Sequence, residues 1–489
     1  MKAVLFVLGA CLALSAPLRA QDAISIGMQL EPPHLDPTAG AAAAIREVTY
    51  ANIFEGLTRF AEDGTVRPAL AESWETAPDG LSWVFNLRSG VAFHDGTPFT
   101  AEDVAFSFER AMAEDSTNAQ KQLFEGINAV NVIDDVTLEI GLDAPKGMLL
   151  FNLAWGDAII VSPASVEANR TSPVGTGPFR FSHWVQGDRV ELVRFEDYWG
   201  EAPALDRVTF RFISDPTAAF AAMMAGDIDA FPGFPAPENL PQFEADPRFE
   251  VILGTTEGET ILAMNHAREP FEDIRVRQAI AHAIDRQAII DGAMFGYGTP
   301  IGSHFAPHHP AYVDLTERAE HDPERARALL AEAGFEDGFA TTLALPPPSY
   351  ARRGGEIVAS QLRAVGIEAE IVTMEWAQWL EQVFTNHDYG MTIVAHTEPL
   401  DIGIYAREDY YFNYEDPALR ALMEGFDRAA DEEERNAILK AAQERVAEEQ
   451  VSAFLFQLAR TGVADARIEG LWQNAPAPAN DMTAVRWTE

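Results

Sequence analysis

Strand-like and helix-like stretches alternate along most of this chain, and that interleaving restricts it to an α/β architecture rather than a sandwich or a bundle. Ala23-Ile24-Ser25-Ile26-Gly27-Met28 reads as a strand. The prolines of Glu31-Pro32-Pro33-His34-Leu35-Asp36-Pro37 hold the next segment extended. A hairpin is expected over 74–88, turning at Asp79-Gly80, with Leu81, Trp83, Phe85 and Leu87 on one face. Thr100-Ala101-Glu102-Asp103 caps a helix that runs to about Met112. Further on come a strand at Val208–Phe212, a helix at Thr217–Ala225 closed by Gly226, a short strand at Ile261–Asn265 and one long helix from Asp273 to Ile290. Asp322-Pro323 opens a helix ending at Gly334, a helix over 356–365 precedes the strand Glu368–Val372, and a last charged helix covers 431–449. The Pro-rich stretches 232–241 and 345–348 read as loops.

A chain of 489 residues is too long for one hydrophobic core, and roughly three domains are expected. Thirty-five Lys and Arg against 76 Asp and Glu leave a net charge of −41, a field that repels phosphate backbones and anionic lipid, so no nucleic-acid partner is expected. The first twenty residues are different material. Lys2, the apolar run Ala3–Ala16 and the break at Pro17-Leu18-Arg19-Ala20 describe a secretory signal over 1–20, cleaved after Ala20. No later segment offers an unbroken apolar run of about 18 residues, the length a spanning helix needs. The single cysteine, Cys11, lies inside that signal, so the mature chain is expected to have no disulfide, no thiol nucleophile and no thiolate metal site. Leu8-Gly9-Ala10-Cys11 also resembles a lipobox, but the cysteine falls in the middle of the apolar run rather than at its edge. Export to the periplasm as a soluble protein is the expectation.

A search for catalytic chemistry finds no G-x-S-x-G elbow, no H-E-x-x-H and no P-loop lysine motif. Gly175-Thr176-Gly177 runs into Pro178 and reads as a tight turn. His304 and the pair His308-His309 are candidate metal ligands, yet Pro307 keeps them off one helical face and no carboxylate sits at ligand spacing; they read as structural or exposed histidines. The stretch 374–412 is the most distinctive. Trp376 and Trp379 stand three apart, a strand Tyr389–Ala395 ends in His396-Thr397-Glu398-Pro399-Leu400-Asp401, and Tyr405, Tyr410 and Tyr411 follow. Two readings stand: a binding wall at the carboxyl end of a strand, or tryptophans that pack a helix onto its sheet.

Several stretches match a known family in its order. They are Pro68-Ala69-Leu70-Ala71-Glu72-Ser73-Trp74, Trp83-Val84-Phe85-Asn86-Leu87-Arg88, Phe93-His94-Asp95-Gly96-Thr97-Pro98-Phe99-Thr100-Ala101-Glu102-Asp103-Val104, Pro173-Val174-Gly175-Thr176-Gly177-Pro178-Phe179, Tyr198-Trp199-Gly200, Ala225-Gly226-Asp227-Ile228-Asp229 and Pro270-Phe271-Glu272-Asp273-Ile274-Arg275-Val276-Arg277-Gln278-Ala279. Together they resemble the oligopeptide/dipeptide/nickel class of extracellular solute-binding proteins.

The resemblance implies a two-lobed periplasmic binding protein, class II-like, with a third small α/β domain inserted in the first lobe. It implies lobe I from 22–53, 173–263 and 459–489, the insert from 54–172, and lobe II from 264–458. The implied partners are a small-molecule or short-peptide ligand and the permease subunits of an ABC importer in the inner membrane. A monomer without cofactor or resident metal, and without enzymatic activity, is the expectation. Trp83, His94, Asp95, Gly96 and Gly177 then read as scaffold. Trp376 falls where peptide binders of the family place a pocket tryptophan. Those binders set an aspartate three residues before an acidic-Pro pair to hold the peptide's ammonium; here the pair is Glu398-Pro399 and the position holds Ala395. Glu398 or Asp401, with His396 beside them, is expected to replace it. Arg352 or Arg353 is expected either to clamp a ligand carboxylate or to be an exposed helix-start arginine. Glu31 and His34, on the loop after the first strand, complete the expected site with Trp379 and Tyr405. A sugar, an opine or a metal chelate is the alternative ligand.

Overall fold

The computed structural model describes residues 22–40, 42–397, 401–429 and 431–488. The expected signal and the lipobox cysteine lie outside them, as does Glu398. One eleven-stranded sheet runs through both lobes. Two long antiparallel strands, Phe249–Met264 and Ser452–Asp465, join its halves. Phe249–Thr255 pair with Asp465–Ala459, the register breaks between Thr255 and Glu259, and pairing resumes from Glu259 opposite Gln457. An irregularity of this kind bends a ribbon, so the stretch 255–259 is the hinge. On one side Ile24, Ile26, Val208, Phe210, Val190 and Leu192 fill the core of the first lobe. On the other, two clusters fill the second lobe, one around Leu262, Ile280, Leu343 and Ile393 and one around Ile261, Trp379, Tyr405 and Phe454.

Several local expectations change. The strand expected at Ile261–Asn265 is only the end of the first hinge strand, because Gly254 and Gly258 and the polar residues between them carry no apolar alternation. The chain therefore crosses into the second lobe at 255–259, ahead of residue 264, and Ile261–Met264 already belong to that lobe's core. The helix expected over 273–290 is two helices, Ile274–Ala283 and Arg286–Met294, because Asp285 caps the second by accepting from the Ala288 amide at 3.0 Å. The helix expected over 356–365 begins at Ser349. Gly354-Gly355 concealed its first turns, since glycine lowers helix propensity; yet a Cβ on Gly355 would stand 2.4 Å from Leu345 Cδ1, so close packing selects glycine there. The stretch 232–241 is also not wholly loop: a short helix begins at Leu240.

The strands Ala71–Thr76, Ser82–Leu87, Thr137–Leu142 and Ile127–Asp134 form a separate antiparallel sheet, covered by the helix Ala101–Met112. Its hairpin turns at Gly80 with φ +71°, and Trp83, Phe85 and Leu87 are buried while Leu81 stays in the turn, half-exposed. The Thr100 amide donates to Asp103 Oδ2 at 2.8 Å, closing the capping box. This unit is fixed to the first lobe by motif residues. Glu55, buried, accepts from Thr176 Oγ1 (2.8 Å), Tyr198 Oη (2.9 Å) and Trp199 Nε1 (2.9 Å). His94 Nε2 donates to the Gly177 carbonyl at 2.9 Å, and its Nδ1 accepts from the Gly175 amide at 3.3 Å. A Cβ on Gly175 would stand 2.0 Å from the Ile53 carbonyl oxygen, so only glycine lets the two segments meet. Burial holds the His94 imidazole down at about 4, so it is neutral and fixed in one tautomer.

Candidate functional site: a cleft at the hinge

Strand direction places the site. Ala230–Phe231 pairs antiparallel with the second hinge strand, Phe231 opposite Val463, so its carboxyl end points toward the hinge. The first strand, Ala23–Met28, runs parallel beside it. In the second lobe Met391–His396 pairs antiparallel with the first hinge strand, His396 opposite Glu259, and so points back at the same hinge. Phe339–Leu345 runs parallel with it, and Ile367–Thr373 runs parallel with Phe339–Leu345. The carboxyl ends of both sets of strands therefore border one cleft, which is where open α/β sheets take ligands.

The first lobe contributes a cavity of about 260 Å³, lined among others by Met28, Gln29, Leu30, Glu47, Phe231 and Arg460. Arg460 is 8% exposed and donates to the Asn474 carbonyl (2.6 Å) and the Pro232 carbonyl (3.3 Å). Burial lowers its guanidinium to about 10, against the opposing pull of Glu47. Burial likewise pushes the Glu47 carboxyl up, offset by Arg460 and Arg46. Sequence reasoning missed both residues. The available signal was the one charged residue, Arg460, in the mostly apolar run Ala453–Ala464.

The second lobe separates the expected residues. Trp376 is 41% exposed, just past the end of Ile367–Thr373, and leads a row with the half-exposed Leu380 and Phe384. Trp379 is buried, and its Nε1 donates to Thr392 Oγ1 at 2.9 Å, so it packs the turn onto the sheet while Trp376 meets its ring edge-on at 5.7 Å. Tyr405 is a core residue, stacked on Phe412 at 5.0 Å and edge-on to His304 at 5.2 Å. Arg352 sits beside Trp376, its Nη2 donating to the Met374 carbonyl (3.2 Å) and Glu375 Oε1 (3.1 Å), whereas Arg353 lies over the Phe295 ring. Glu31 Oε1 accepts from Trp184 Nε1 (3.0 Å) and the Gly187 amide (2.9 Å), which spends it on a hairpin of the first lobe. His34 is half-buried and accepts from the Asp36 amide at 3.3 Å; burial and then Arg170 hold its imidazole below its ordinary value. Neither of these two lies in the wall of the cavity.

His396 and Asp401 are brought together with two residues that the sequence did not connect to them. His396 Nδ1 lies 3.3 Å from Asp401 Oδ2, and Asp401 Oδ1 lies 2.7 Å from His304 Nε2. His304 Nδ1 lies 3.0 Å from Glu259 Oε1, and His396 Nε2 lies 3.0 Å from the Tyr411 hydroxyl. Burial alone would raise the Asp401 carboxyl, but His304 and His396 outweigh it and hold Asp401 well below the usual carboxylate range. His304 is thus buried between two carboxylates, although the sequence offers none at ligand spacing. His308 is separate, bonded to Thr255 and Glu257 at the hinge.

These features define a two-lobed α/β protein whose halves meet at a hinge and face each other with unlike surfaces. Residues 65–402 match the family model described as bacterial extracellular solute-binding proteins, family 5 Middle. The chain is 31% identical over 360 residues to heme-binding protein A of Haemophilus influenzae, covering 67% of this chain and 65% of that protein. It is 32% identical over 356 residues to the glutathione-binding protein GsiB of Salmonella paratyphi A, covering 71% and 69%. The alignments thus span about two thirds of these relatives' length. HbpA2 of Haemophilus parasuis superposes with TM-score 0.89 at 24% identity, over 96% of this chain and 100% of that one. A periplasmic murein tripeptide binding protein in its unliganded open form gives 0.86 at 22% identity, over 96% and 97%. The Helicobacter pylori DppA, in complex with a peptide, gives 0.73 at 25% identity, over 96% and 98%. This chain belongs to the family 5 bacterial extracellular solute-binding proteins.

Proposed function

We propose that the chain is the periplasmic receptor of an ABC importer, which captures a small peptide or a related amine-bearing solute and presents it to the permease subunits. The observation that carries this reading is the pairing across one hinge of a buried arginine cavity with a rim of exposed tryptophan and buried carboxylate. Arg460 supplies positive charge for a ligand carboxylate, Asp401 negative charge for an ammonium, and Trp376 apolar area. Closing the lobes removes water from these groups, which strengthens each contact. A dissociation constant near 1 μM requires only about −8 kcal/mol, within reach of a few such contacts net of the cost of closure. The ligand raises the population of the closed form, and the permease reads that form. No bond is made or broken, and the chain works as a monomer without a cofactor.

Export rests on the signal pattern of 1–20; among the described residues no helix is long and apolar enough to cross a membrane. Relatives named for glutathione and for dipeptides support the peptide class. Ala395, where peptide binders of the family keep an aspartate, favours a second reading in which the solute is a metal chelate or another non-peptide held by His396 and Asp401. The deciding measurement is native mass spectrometry on protein taken from its own periplasm, with the released molecules identified. A stoichiometric peptide supports the first reading, and a non-peptide amine, opine or chelate overturns it in favour of the second.

A further inference from the structure

We propose that the insert supplies a second bearing for lobe movement, a narrow seam against the second lobe that leads from the hinge to Gly147 and Asp427. The insert is fastened to the first lobe through Glu55 and His94, yet it touches the second lobe as well. A Cβ on Gly147 would stand 2.5 Å from the Phe426 carbonyl oxygen, and the Gly147 amide donates to the Asp427 carboxylate. Phe426 belongs to the core cluster of Ile261, Trp379 and Phe454, so the contact reaches the body of the second lobe. Met148, the next residue, packs against that cluster and also against the core of the first lobe. Lys146 ties the loop to the insert: its Nζ donates to the Glu125 carbonyl (2.6 Å) and the Leu123 carbonyl (3.2 Å), and its charge attracts Asp427.

The seam starts at the hinge. His308 is bonded to Thr255 (2.5 Å) and Glu257 (2.7 Å) of the first hinge strand. Gly64 lies in the turn between the insert's short strands Thr58–Phe60 and Val66–Pro68, and a Cβ on it would rest 3.6 Å from His308 and 3.7 Å from His309. Between Gly64 and Gly147 the two surfaces part around a cavity of about 110 Å³. Val66, Trp74 and Phe151 line it from the insert side, and His309, Arg435 and Leu439 from the second lobe. The insert thus meets the second lobe at two spots separated by a gap, one of them beside the hinge.

That arrangement suits rotation. A point on the axis of a turning body stays in place, and a point away from the axis moves in proportion to its distance. The Gly147 contact has no room to slide, since not even a methyl group fits between it and Phe426. A broad packed face would resist turning, whereas two small contacts permit it. The stretch 255–259 and the Gly147 contact are two points, and two points fix one axis. Twisting about any other axis has to pull the seam apart. The insert therefore sets the direction in which the Arg460 cavity and the Trp376 rim approach each other, a role that rests on the receptor reading above; the restraint itself does not.

The test uses the full mature chain with no solute added. From Gln21 onward the sequence holds no cysteine, so spin labels go only where cysteines are introduced. Labels on Glu201→Cys in the first lobe and Glu336→Cys in the second, both exposed positions, read the separation of the lobes by double electron–electron resonance. One narrow distance distribution is expected. Adding Gly147→Val or Asp427→Ala is expected to broaden it, and adding Glu424→Ala, an exposed charge one turn back on the same helix, to leave it unchanged. Hydrogen exchange is expected to show a protected Gly147 amide in the wild type and loss of that protection in Asp427→Ala. Circular dichroism checks that each variant is folded, and if Gly147→Val does not fold, Asp427→Ala decides. A distribution that neither seam variant broadens overturns the proposal, as does one that Glu424→Ala broadens equally, or a Gly147 amide that exchanges freely in the wild type. None of these results bears on whether the chain captures a solute, which the mass spectrometry above decides.

Discussion

The joint between the first lobe and the insert and the rim of the second lobe are both rich in polar side chains, but they use them differently. At the joint, Glu55 and His94 give their bonds to Thr176, Tyr198, Trp199 and the backbone of Gly175 and Gly177, most of them residues of the family motifs. At the rim, His396, Asp401, His304 and Glu259 form a chain that ends beside the cleft, next to exposed Trp376, Leu380 and Phe384. The motifs that make the family recognisable are thus its fasteners. The residues proposed above to meet the solute lie where the motifs are thin.

Glu55→Ala should have the largest effect. It strands one buried donor and two half-buried ones, and loss of a buried hydrogen-bonded charge costs about 3–5 kcal/mol. Urea denaturation should show that loss, while solute affinity of the folded protein stays the same. A variant that lost affinity but not stability would reverse the assignment of the two regions.

Acid should act next. His94 and His266 have ordinary values of 6.5 and are held at about 4 in the fold by burial. A depressed histidine contributes stability that is present above the unfolded value and is lost as pH falls through the folded one. The window is therefore about 6.5 down to 4, worth up to about 3 kcal/mol for each residue. His94 sits at the joint and His266 in the second lobe. Stability measured at pH 7, 5 and 4 should fall, and His94→Asn should flatten the part of the slope that belongs to the joint. An unchanged slope in that variant would remove the joint from the acid response.

Trp376→Ala and Trp379→Ala divide the rim itself. The exposed Trp376 should cost about 1–3 kcal/mol of solute affinity, read by calorimetry, with little change in melting temperature. The buried Trp379 should instead cost stability, about 3–5 kcal/mol. Unchanged affinity in Trp376→Ala would remove that residue from the site. Smallest of all is Arg352→Met. Its exposed pairing with Glu375 contributes about 0–1 kcal/mol to stability, so a clear drop in affinity would mark Arg352 as a ligand clamp and no drop would mark it as rim structure.

Much of this was legible in order along the chain. The α/β class followed from alternating periodicities, the capping box at Thr100 and the turn at Gly80 from local chemistry, and the family from motifs that run in sequence. Local chemistry also misled. Asp285 broke a helix whose apolar spacing ran on, and the glycines of 254–258 masked a hinge strand that only pairing with Ser452–Asp465 reveals. The two tryptophans of Glu375-Trp376-Ala377-Gln378-Trp379 look alike in sequence. One is exposed and the other is core, because packing against Thr392 decides which ring turns inward.

By itself, then, the sequence determined the fold class, the family and the fastening motifs. All of these depend on residues close together in the chain, or on patterns that repeat with the period of a helix or a strand. Only the tertiary structure decided that Glu259, His304, His396 and Asp401 meet, that Arg460 lines a cavity, and that Glu31 is spent on a hairpin. Those meetings are set by strand register and by the hinge crossing. A shift of one residue in the pairing of Glu259 with His396 would turn the side chains to the opposite face and dissolve the cluster.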